Sequence, residues 1–268
     1  MLENPRSPRV RAVAKLTKRS ARVETGLFLL EGPQSVREAL HYLPDAIVEL
    51  FATPTAWEKH ADVRALAAEH DVEVEYVTEA VLAAMADTVT PQGLVAVTRQ
   101  TPTSVRDIFA ASPKLIAICE EVRDPGNLGT IIRAADAAGA DAVVLTGRTV
   151  DPYNPKVVRS TTGSLFHLPV SVGGDLDDVI RRAHDAGMNV LAADVKGDDL
   201  LAARAQGVLA QPTAWLFGNE ARGLEHDALA QADRALRLPI FGRAESLNLA
   251  TAASVCLYES AFAQRADV

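Results

Sequence analysis

The chain has 268 residues, of which 48% are hydrophobic and 23% charged, and its formal net charge is −8. This composition predicts one large or two small folded domains and excludes a largely disordered chain. No apolar run reaches the roughly 18 residues of a membrane span, and the N-terminus lacks the apolar core of a secretory signal. Cys119 and Cys256 lie in apolar stretches without metal-ligand spacing, so we expect buried thiols in the reducing cytoplasm and no metal.

Positive charge is concentrated at the start of the chain. Residues 1–22 hold seven basic side chains and one acid, whereas the remainder holds 20 basic side chains against 34 acids. A local cationic segment suits an RNA backbone, although a solvated helix is an equally good reading of charge alone. The candidate RNA contacts in this segment are Arg9, Arg11, Lys18, Arg19 and Arg22.

Strand and helix patterns alternate through the first half. A basic helix is predicted over residues 8–21, and a second helix begins at Pro33. Further elements are strands at 28–30, 46–51, 72–77 and 94–97 and helices at 56–68 and 78–86. Residues 98–113 are rich in Thr, Ser and Pro, which is typical of a linker. We therefore expect domains at 1–100 and 113–268, joined by a linker at 101–112.

The second half repeats the alternation with more apolar strands. Strands are predicted at 115–119, 142–145, 189–193 and 214–217, and helices at 127–139, 179–186 and 247–264. Continuous apolar strands indicate a sheet that is covered on both faces. Together with the alternating helices, they predict an α/β fold with a doubly wound parallel sheet.

Three polar clusters lie where predicted strands end and helices begin, which is where ligands bind in open α/β sheets. In the first, residues 120–133, Asn127 is suited to cap a helix. Arg133 lies off the packing stripe of that helix, and its guanidinium matches a phosphate. The alternative to a ligand-binding cluster is a purely structural helix cap followed by a solvent-exposed arginine.

The other two clusters follow later in the chain. Residues 215–224 lead from an apolar strand into a loop where Gly218 permits close approach to a ligand and Glu220 can accept hydrogen bonds from Arg133. Residues 238–250 place Ser246 and Asn248 at a helix start, where Ser246 also suits a plain N-cap. A dinucleotide fingerprint, a P-loop, an H-E-x-x-H pair and paired C-x-x-C motifs are absent from the sequence.

Taken together, the three clusters resemble the motifs of the SpoU (TrmH) family of SPOUT methyltransferases. The matching sequences are N-L-G-T-I-I-R-A-A from Asn127, G-N-E-A-R-G from Gly218, and P-I followed by S-L-N-L-A at Ser246. The resemblance covers about residues 113–264 and includes a stretch that starts at Arg159. The first half is similar to the family's small ribosomal-protein-like RNA-binding domain at Arg22, Phe28, 30–32 and 91–93.

This resemblance implies an RNA 2′-O-ribose methyltransferase that uses S-adenosylmethionine, works as a homodimer and carries a trefoil knot in its catalytic domain. It favours ribosomal RNA over tRNA; a base methyltransferase and a non-catalytic ribosome-associated RNA-binding protein are the alternatives. The implied catalytic residues are Arg133, Asn127, Glu220, Ser246 and Asn248. The implied cofactor-binding positions are Leu216, Phe217, Gly218, Ile240, Leu247 and Leu249, and Arg159 is added to the RNA contacts.

Overall fold

The computed structural model describes residues 1–265, which form thirteen α-helices and ten β-strands. The helices are α1 Pro8–Lys15, α2 Arg19–Thr25, α3 Pro33–Tyr42, α4 Pro54–Lys59, α5 Ala61–Glu69, α6 Glu79–Met85, α7 Val105–Ala110, α8 Pro125–Ala137, α9 Pro155–Thr161, α10 Leu176–Asp185, α11 Leu200–Ala205, α12 His226–Ala230 and α13 Leu249–Gln264. The strands are β1 Leu27–Glu31, β2 Ile47–Ala52, β3 Val74–Tyr76, β4 Leu94–Arg99, β5 Leu115–Glu120, β6 Ala142–Thr146, β7 Val170–Gly174, β8 Asn189–Asp199, β9 Thr213–Phe217 and β10 Arg234–Arg237.

The chain divides into two compact units. The first unit contains Met1–Thr101 together with Asp151–His167, and the second contains Pro102–Val150 and the chain from Leu168 onward. Residues 151–167 lie within the predicted second domain, whereas the structure packs them with the first unit. It also places α7, which lies inside the expected linker, within the second unit.

The first unit is built on a four-stranded sheet in the order β1-β4-β2-β3, in which the β2–β3 pair is parallel and the others are antiparallel. The predicted basic helix over residues 8–21 is in fact two helices, α1 and α2. Val10 and Val13 of α1 are buried against a core that includes Leu82 and Met85. The i, i+3 spacing of the two valines directs one face of α1 inward, and the intervening Arg11 is exposed.

Aromatic and charged contacts explain why residues 151–167 belong to the first unit. The ring of Phe28 in β1 lies 4.8 Å from that of Tyr153 and 6.4 Å from that of Phe166. Arg22 of α2 forms an ion pair with Asp151 at 2.7 Å. The pattern of apolar residues along 151–167 does not reveal these partners, because they lie more than 100 positions earlier in the chain.

Arg22 has a structural role instead of the predicted RNA contact. Its side chain is only 2% exposed, and its Nη1 donates hydrogen bonds to the carbonyl oxygens of Leu16 and Thr17. The guanidinium therefore closes the turn between α1 and α2 while its other edge pairs with Asp151. Because all of this side chain faces the interior, assigning Arg22 to RNA was wrong.

The second unit has the predicted parallel sheet. Its six strands follow the order β10-β8-β9-β5-β6-β7, and every neighbouring pair is parallel. From β5 the chain moves outward to β6 and β7, and later it returns with β9 on the other side of β5. The boundary between β5 and β9 is therefore the switch point of the sheet. The trefoil knot stays a prediction of the family resemblance.

The burial expected for the two cysteines is confirmed. Cys119 and Cys256 are buried free thiols. Within residues 1–265, no helix is both long enough and apolar enough to cross a bilayer.

Replacing Arg22 by Met should lower the free energy of unfolding by about 3–5 kcal/mol, because Asp151 would keep a largely buried charge without its partner. Urea unfolding followed by circular dichroism measures the change. Arg19→Met is the matched control, since Arg19 lies on the same helix and is exposed; its effect should stay within about 0.5 kcal/mol. Equal effects of the two substitutions would contradict a structural role for Arg22.

Candidate active site

The loops that follow β5 and β9 start side by side. The two strands run in parallel register from Leu115 opposite Thr213 to Cys119 opposite Phe217. The first polar cluster leaves the sheet after Glu120 and the second after Phe217, so both emerge at the same edge, at the switch point. This geometry explains how clusters almost 100 residues apart in sequence meet.

Helix α8 begins two residues earlier than expected, and this frees the side chain of Asn127. The N-cap is Asp124, whose Oδ1 accepts the Asn127 backbone N–H at 2.8 Å, and Pro125 occupies the first turn. Asn127 was predicted to be the cap. Since Asp124 performs that role, the Asn127 carboxamide is available for contacts with the other two clusters.

The three clusters are connected by hydrogen bonds between side chains. Asn248 Nδ2 donates to Asn127 Oδ1 at 2.9 Å, and Asn127 Nδ2 donates to Glu220 Oε1 at 3.3 Å. The Glu220 carboxylate also accepts the backbone N–H groups of Arg123 at 3.1 Å and Asp124 at 2.9 Å. The Asn248–Asn127–Glu220 chain thus holds residues from all three clusters together.

Asn248 also determines where the last helix starts. Its Oδ1 accepts the backbone N–H groups of Ala250 at 2.9 Å and Thr251 at 3.2 Å, so Asn248 is the N-cap of α13. The sequence also suits Ser246 as a plain cap and predicts a helix from residue 247. The structure instead leaves Ser246 in the exposed segment before the helix. The side-chain oxygen of Asn248 therefore caps α13, and its side-chain nitrogen links the helix start to Asn127 in the site.

The glycine after β9 is required by its own loop. A Cβ on Gly218 would lie 2.5 Å from the backbone carbon of Gly223, because residues 219 and 223 pair across the turn. Asn219 Nδ2 also donates to the carbonyl oxygen of Glu121 at 2.9 Å, which fastens this loop to the first cluster. Gly218 therefore permits a close approach within the protein's own backbone, and its contact with a ligand stays a prediction.

A cavity of about 370 Å³ is lined by residues of the third cluster and of β8 and β10. Its walls combine apolar side chains with carboxylates and the irregular backbone of residues 238–247, and they include Ala193, Leu236, Leu238, Pro239, Ile240, Leu247, Asp199, Glu245 and Ser246. Three predicted positions, Ile240, Ser246 and Leu247, line it. Leu216 and Phe217 are fully buried within β9, and neither they, Gly218 nor Leu249 line the cavity.

Arg133 stands apart from the hydrogen-bonded chain. It lies six residues beyond Asn127 on α8, about 9 Å farther along the helix axis. Its side chain is exposed, and within residues 1–265 it makes no hydrogen bond or ion pair. The expected hydrogen bond from Arg133 to Glu220 is therefore not formed, and the guanidinium is open to a ligand.

The remaining predicted RNA contacts differ in how free their charges are. Arg9 pairs with Glu49 at 2.7 Å and with Glu75 at 3.4 Å. Arg159 pairs with Glu31 at 3.1 Å and with Asp87 at 2.9 Å, so nearby carboxylates balance both charges. Among residues 1–265, the predicted contacts that are exposed without an ion pair are Arg11, Lys18 and Arg19.

Two adjacent carboxylates at the end of β5 were not singled out from the sequence. A Cβ on Gly147 would lie 2.8 Å from one oxygen of Glu120 and 2.8 Å from one of Glu121. Burial, with the charges of Glu121 and Asp175, raises the pKa of Glu120, and its Oε2 is buried without a hydrogen-bond partner. Hydrogen bonds from Arg123 and the Arg148 backbone lower the pKa of Glu121. In the sequence, the only indication of this site is the pair of adjacent acidic residues at positions 120 and 121.

Charge near the hydrogen-bonded chain also affects Cys119. Burial and the nearby Glu220 carboxylate raise the pKa of this thiol to about 12, so it stays protonated. Across the described residues no cluster of histidine, cysteine, aspartate and glutamate is arranged to hold a metal ion. The polar groups of the site are therefore carboxylate, amide, hydroxyl and guanidinium.

Comparison with known proteins agrees with this geometry. Residues 114–258 match the family model described as the SpoU rRNA methylase family, and residues 7–96 match the MRM3-like substrate binding domain. The chain belongs to the SpoU rRNA methylase family. A relative from Bacillus subtilis, the 23S rRNA (guanosine(2553)-2′-O)-methyltransferase RlmP, is 32% identical over 96% of this chain and 97% of its own length.

Solved SpoU-family structures share the fold over nearly the whole chain. An rRNA methyltransferase from Sinorhizobium meliloti with bound AdoMet has a TM-score of 0.81 and 33% identity, covering 97% of this chain and 96% of its own. The SpoU methyltransferase AviRb from Streptomyces viridochromogenes, in complex with AdoMet, has a TM-score of 0.80 and 29% identity, covering 97% and 99%. The two-unit α/β architecture and its parallel sheet are therefore those of the family.

The opposite pKa shifts of Glu120 and Glu121 predict opposite effects of neutral substitutions. A raised folded-state pKa stabilises the fold at low pH, and this contribution is lost as the pH rises through it. Glu120→Gln should therefore raise the melting temperature at pH 8, with a smaller gain at pH 5. A lowered pKa stabilises the fold above the unfolded-state pKa, so Glu121→Gln should lower the melting temperature at pH 8.

Differential scanning calorimetry at the two pH values tests this pair. The two substitutions remove the same charge at neighbouring positions, so each serves as the control for the other. The prediction fails if Glu120→Gln raises the melting temperature no more at pH 8 than at pH 5. That result would show that ionising the buried Glu120 carboxyl does not destabilise the fold.

Proposed function

We propose that this protein transfers a methyl group from S-adenosylmethionine to a ribose 2′-hydroxyl in large-subunit ribosomal RNA. The observation that carries the proposal is the Asn248–Asn127–Glu220 hydrogen-bonded chain, which unites the three family motifs, the third of which also lines a cavity. The full-length similarity to RlmP, whose name specifies a 23S rRNA 2′-O-methyltransferase, supports the substrate. Every polar motif residue is present, which favours an enzyme over a non-catalytic RNA-binding protein.

The walls of the 370 Å³ cavity fit S-adenosylmethionine chemically. Apolar side chains such as Leu238 and Ile240 suit the purine, and exposed backbone amides suit its ring nitrogens. The carboxylates of Asp199 and Glu245 suit the positive sulfonium and amino groups or the ribose hydroxyls. When bound, S-adenosylmethionine supplies an electrophilic methyl group.

The protein's task at the reacting centre is to position the acceptor. A ribose hydroxyl is a weak nucleophile until its proton is removed or strongly polarised. We assign Arg133 to the 2′-oxygen and the adjacent phosphate, since its exposed guanidinium has a matching fork geometry. Arginine stays protonated, so the proton passes to a phosphate oxygen that the guanidinium holds. Asn127, Glu220 and Asn248 keep the surrounding loops in place, and Ser246 contacts the ligands from the cavity wall.

We also propose that the active form is a cytoplasmic homodimer in which Arg133 of one subunit serves a site completed by the other. Helix α13 presents an apolar face whose residues follow i, i+3, i+7 spacing, and these are Val255, Tyr258 and Phe262, each 37–55% exposed. Within the described residues of this unit, nothing covers that face.

Sedimentation should give about twice the 28.6 kDa mass of the chain, and Phe262→Asp should shift the protein to the single-chain mass. Val172→Asp is the control, because Val172 is 47% exposed on β7 and away from this face. A wild-type protein that sediments as one chain at micromolar concentration would refute the dimer.

Arg133→Ala should reduce methyl transfer to 23S rRNA by about 10²–10³-fold, because the group that holds the acceptor oxygen is lost. Affinity for S-adenosylmethionine, measured by calorimetry, should change less than about twofold, since Arg133 does not line the cavity. Arg106→Ala, an exposed arginine on α7, should leave both quantities unchanged.

The product of the reaction separates the proposal from its rivals. Digestion of methylated RNA to nucleosides should place the added mass on ribose, whereas a base methyltransferase would place it on the heterocycle. Ribosomal RNA from a deletion strain should lack one 2′-O-methyl group. Loss of cofactor binding in a folded Arg133→Ala variant would contradict the role assigned to Arg133. If the protein methylates tRNA and not ribosomal RNA, the proposed substrate is wrong.

A further inference from the structure

A second cavity, of about 200 Å³, lies wholly within the first unit. It forms where β1 ends and α3 begins, and the loop of residues 88–92 borders it. The motif E-G-P-Q-S at residues 31–35 supplies one wall. Gln92 supplies another, with its Oε1 2.9 Å from the place where a Cβ of Gly32 would lie. The absence of a side chain at Gly32 therefore leaves this space open.

Two hydroxyl groups on the walls of this cavity have no partner. Ser35 is 6% exposed, its hydroxyl makes no hydrogen bond within residues 1–265, and that hydroxyl stays open to the cavity. The Oγ1 of Thr162 is likewise buried without a partner. Burying the Thr162 oxygen without a hydrogen bond costs the fold about 1–3 kcal/mol. A ligand that enters the cavity meets the Ser35 hydroxyl as a free donor and acceptor.

The charges around the cavity favour a neutral ligand over a phosphate. Arg159 is paired with Glu31 and Asp87, so this cluster carries one net negative charge. Glu31 is also occupied by the backbone N–H of Thr88 at 3.0 Å. What remains available is a set of amide and hydroxyl groups that both donate and accept, which suits the edge of a heterocycle.

We infer that this cavity binds a single unstacked nucleobase of the substrate RNA, an inference that rests on the proposed function. A cavity of about 150 Å³ accommodates benzene, so 200 Å³ suits a base-sized ring. Bases in single-stranded RNA are recognised in this way, through hydrogen bonds to their exposed edges. A neighbouring cavity of about 350 Å³ shares Gln92 and is lined partly by Lys59 and His60, which suits the adjoining sugar–phosphate strand.

Photo-crosslinking locates the base without requiring methyl transfer. Full-length protein is irradiated with 23S rRNA transcribed with 4-thiouridine or, separately, with 6-thioguanosine. A crosslinked peptide containing residues 31–35 or 88–92 supports the inference. Crosslinks confined to other parts of the chain overturn it. If the wild-type protein methylates 23S rRNA without such a crosslink, the base site fails while the proposed function stands.

A binding comparison then distinguishes the base from the backbone. Ser35→Ala combined with Gln92→Leu should weaken binding of a short RNA spanning the crosslinked nucleotide about tenfold. The same variant should bind an abasic version of that RNA as the wild type does. Gln92 is exposed and Ser35→Ala removes one atom, so the fold should survive, which circular dichroism verifies.

Ser20→Ala, which removes an exposed hydroxyl from α2 in the same unit, is the matched control and should bind both RNAs normally. Equal losses on the two RNAs would mean that the cavity contacts the sugar–phosphate strand, and this would refute a base site.

Discussion

The Glu220 carboxylate is the group on which the geometry of the site depends. It accepts two backbone N–H groups from the loop after β5 and the carboxamide of Asn127, and it comes from the loop after β9. Hydrogen bonds to a charged acceptor are stronger than those between neutral groups. One side chain therefore fixes two loops across the switch point, and Asn248 extends the same network to the start of α13.

A buried charge performs a comparable function in the first unit. Arg22 satisfies two carbonyl oxygens of the α1–α2 turn and pairs with Asp151, which lies 129 positions later. Removing either charged partner would leave the other poorly solvated, so the pair acts as a specific attachment and not as general surface attraction. The family resemblance at this arginine thus reflects how the unit closes.

Much of the second unit is predictable, because its strands are short continuous apolar runs and its clusters follow them. The parallel direction of its strands could be anticipated from the alternation of strand and helix, whereas the pairing of β5 with β9 comes from the structure. The exact start of α8 could not be predicted, because Asp124 and Asn127 are both residue types that favour the N-cap, and only packing selects one of them. Burial of Arg22 cannot be predicted from the sequence either. The run of basic residues is the same whether one of these side chains is buried or all of them are exposed. The cavity beside Ser35 depends on a loop 50 residues away.

The interleaving of residues 151–167 with the first unit constrains the order of events during synthesis. Domains fold as they leave the ribosome, at about 5–20 residues per second. After Thr101 has been made, another 50 residues must be added before Asp151 appears. Arg22 is therefore without its ion-pair partner for several seconds of synthesis. During that interval β5, α8 and β6 have already been made. The amino-terminal unit is therefore completed only after two of the six strands of the second sheet, β5 and β6, have been synthesised.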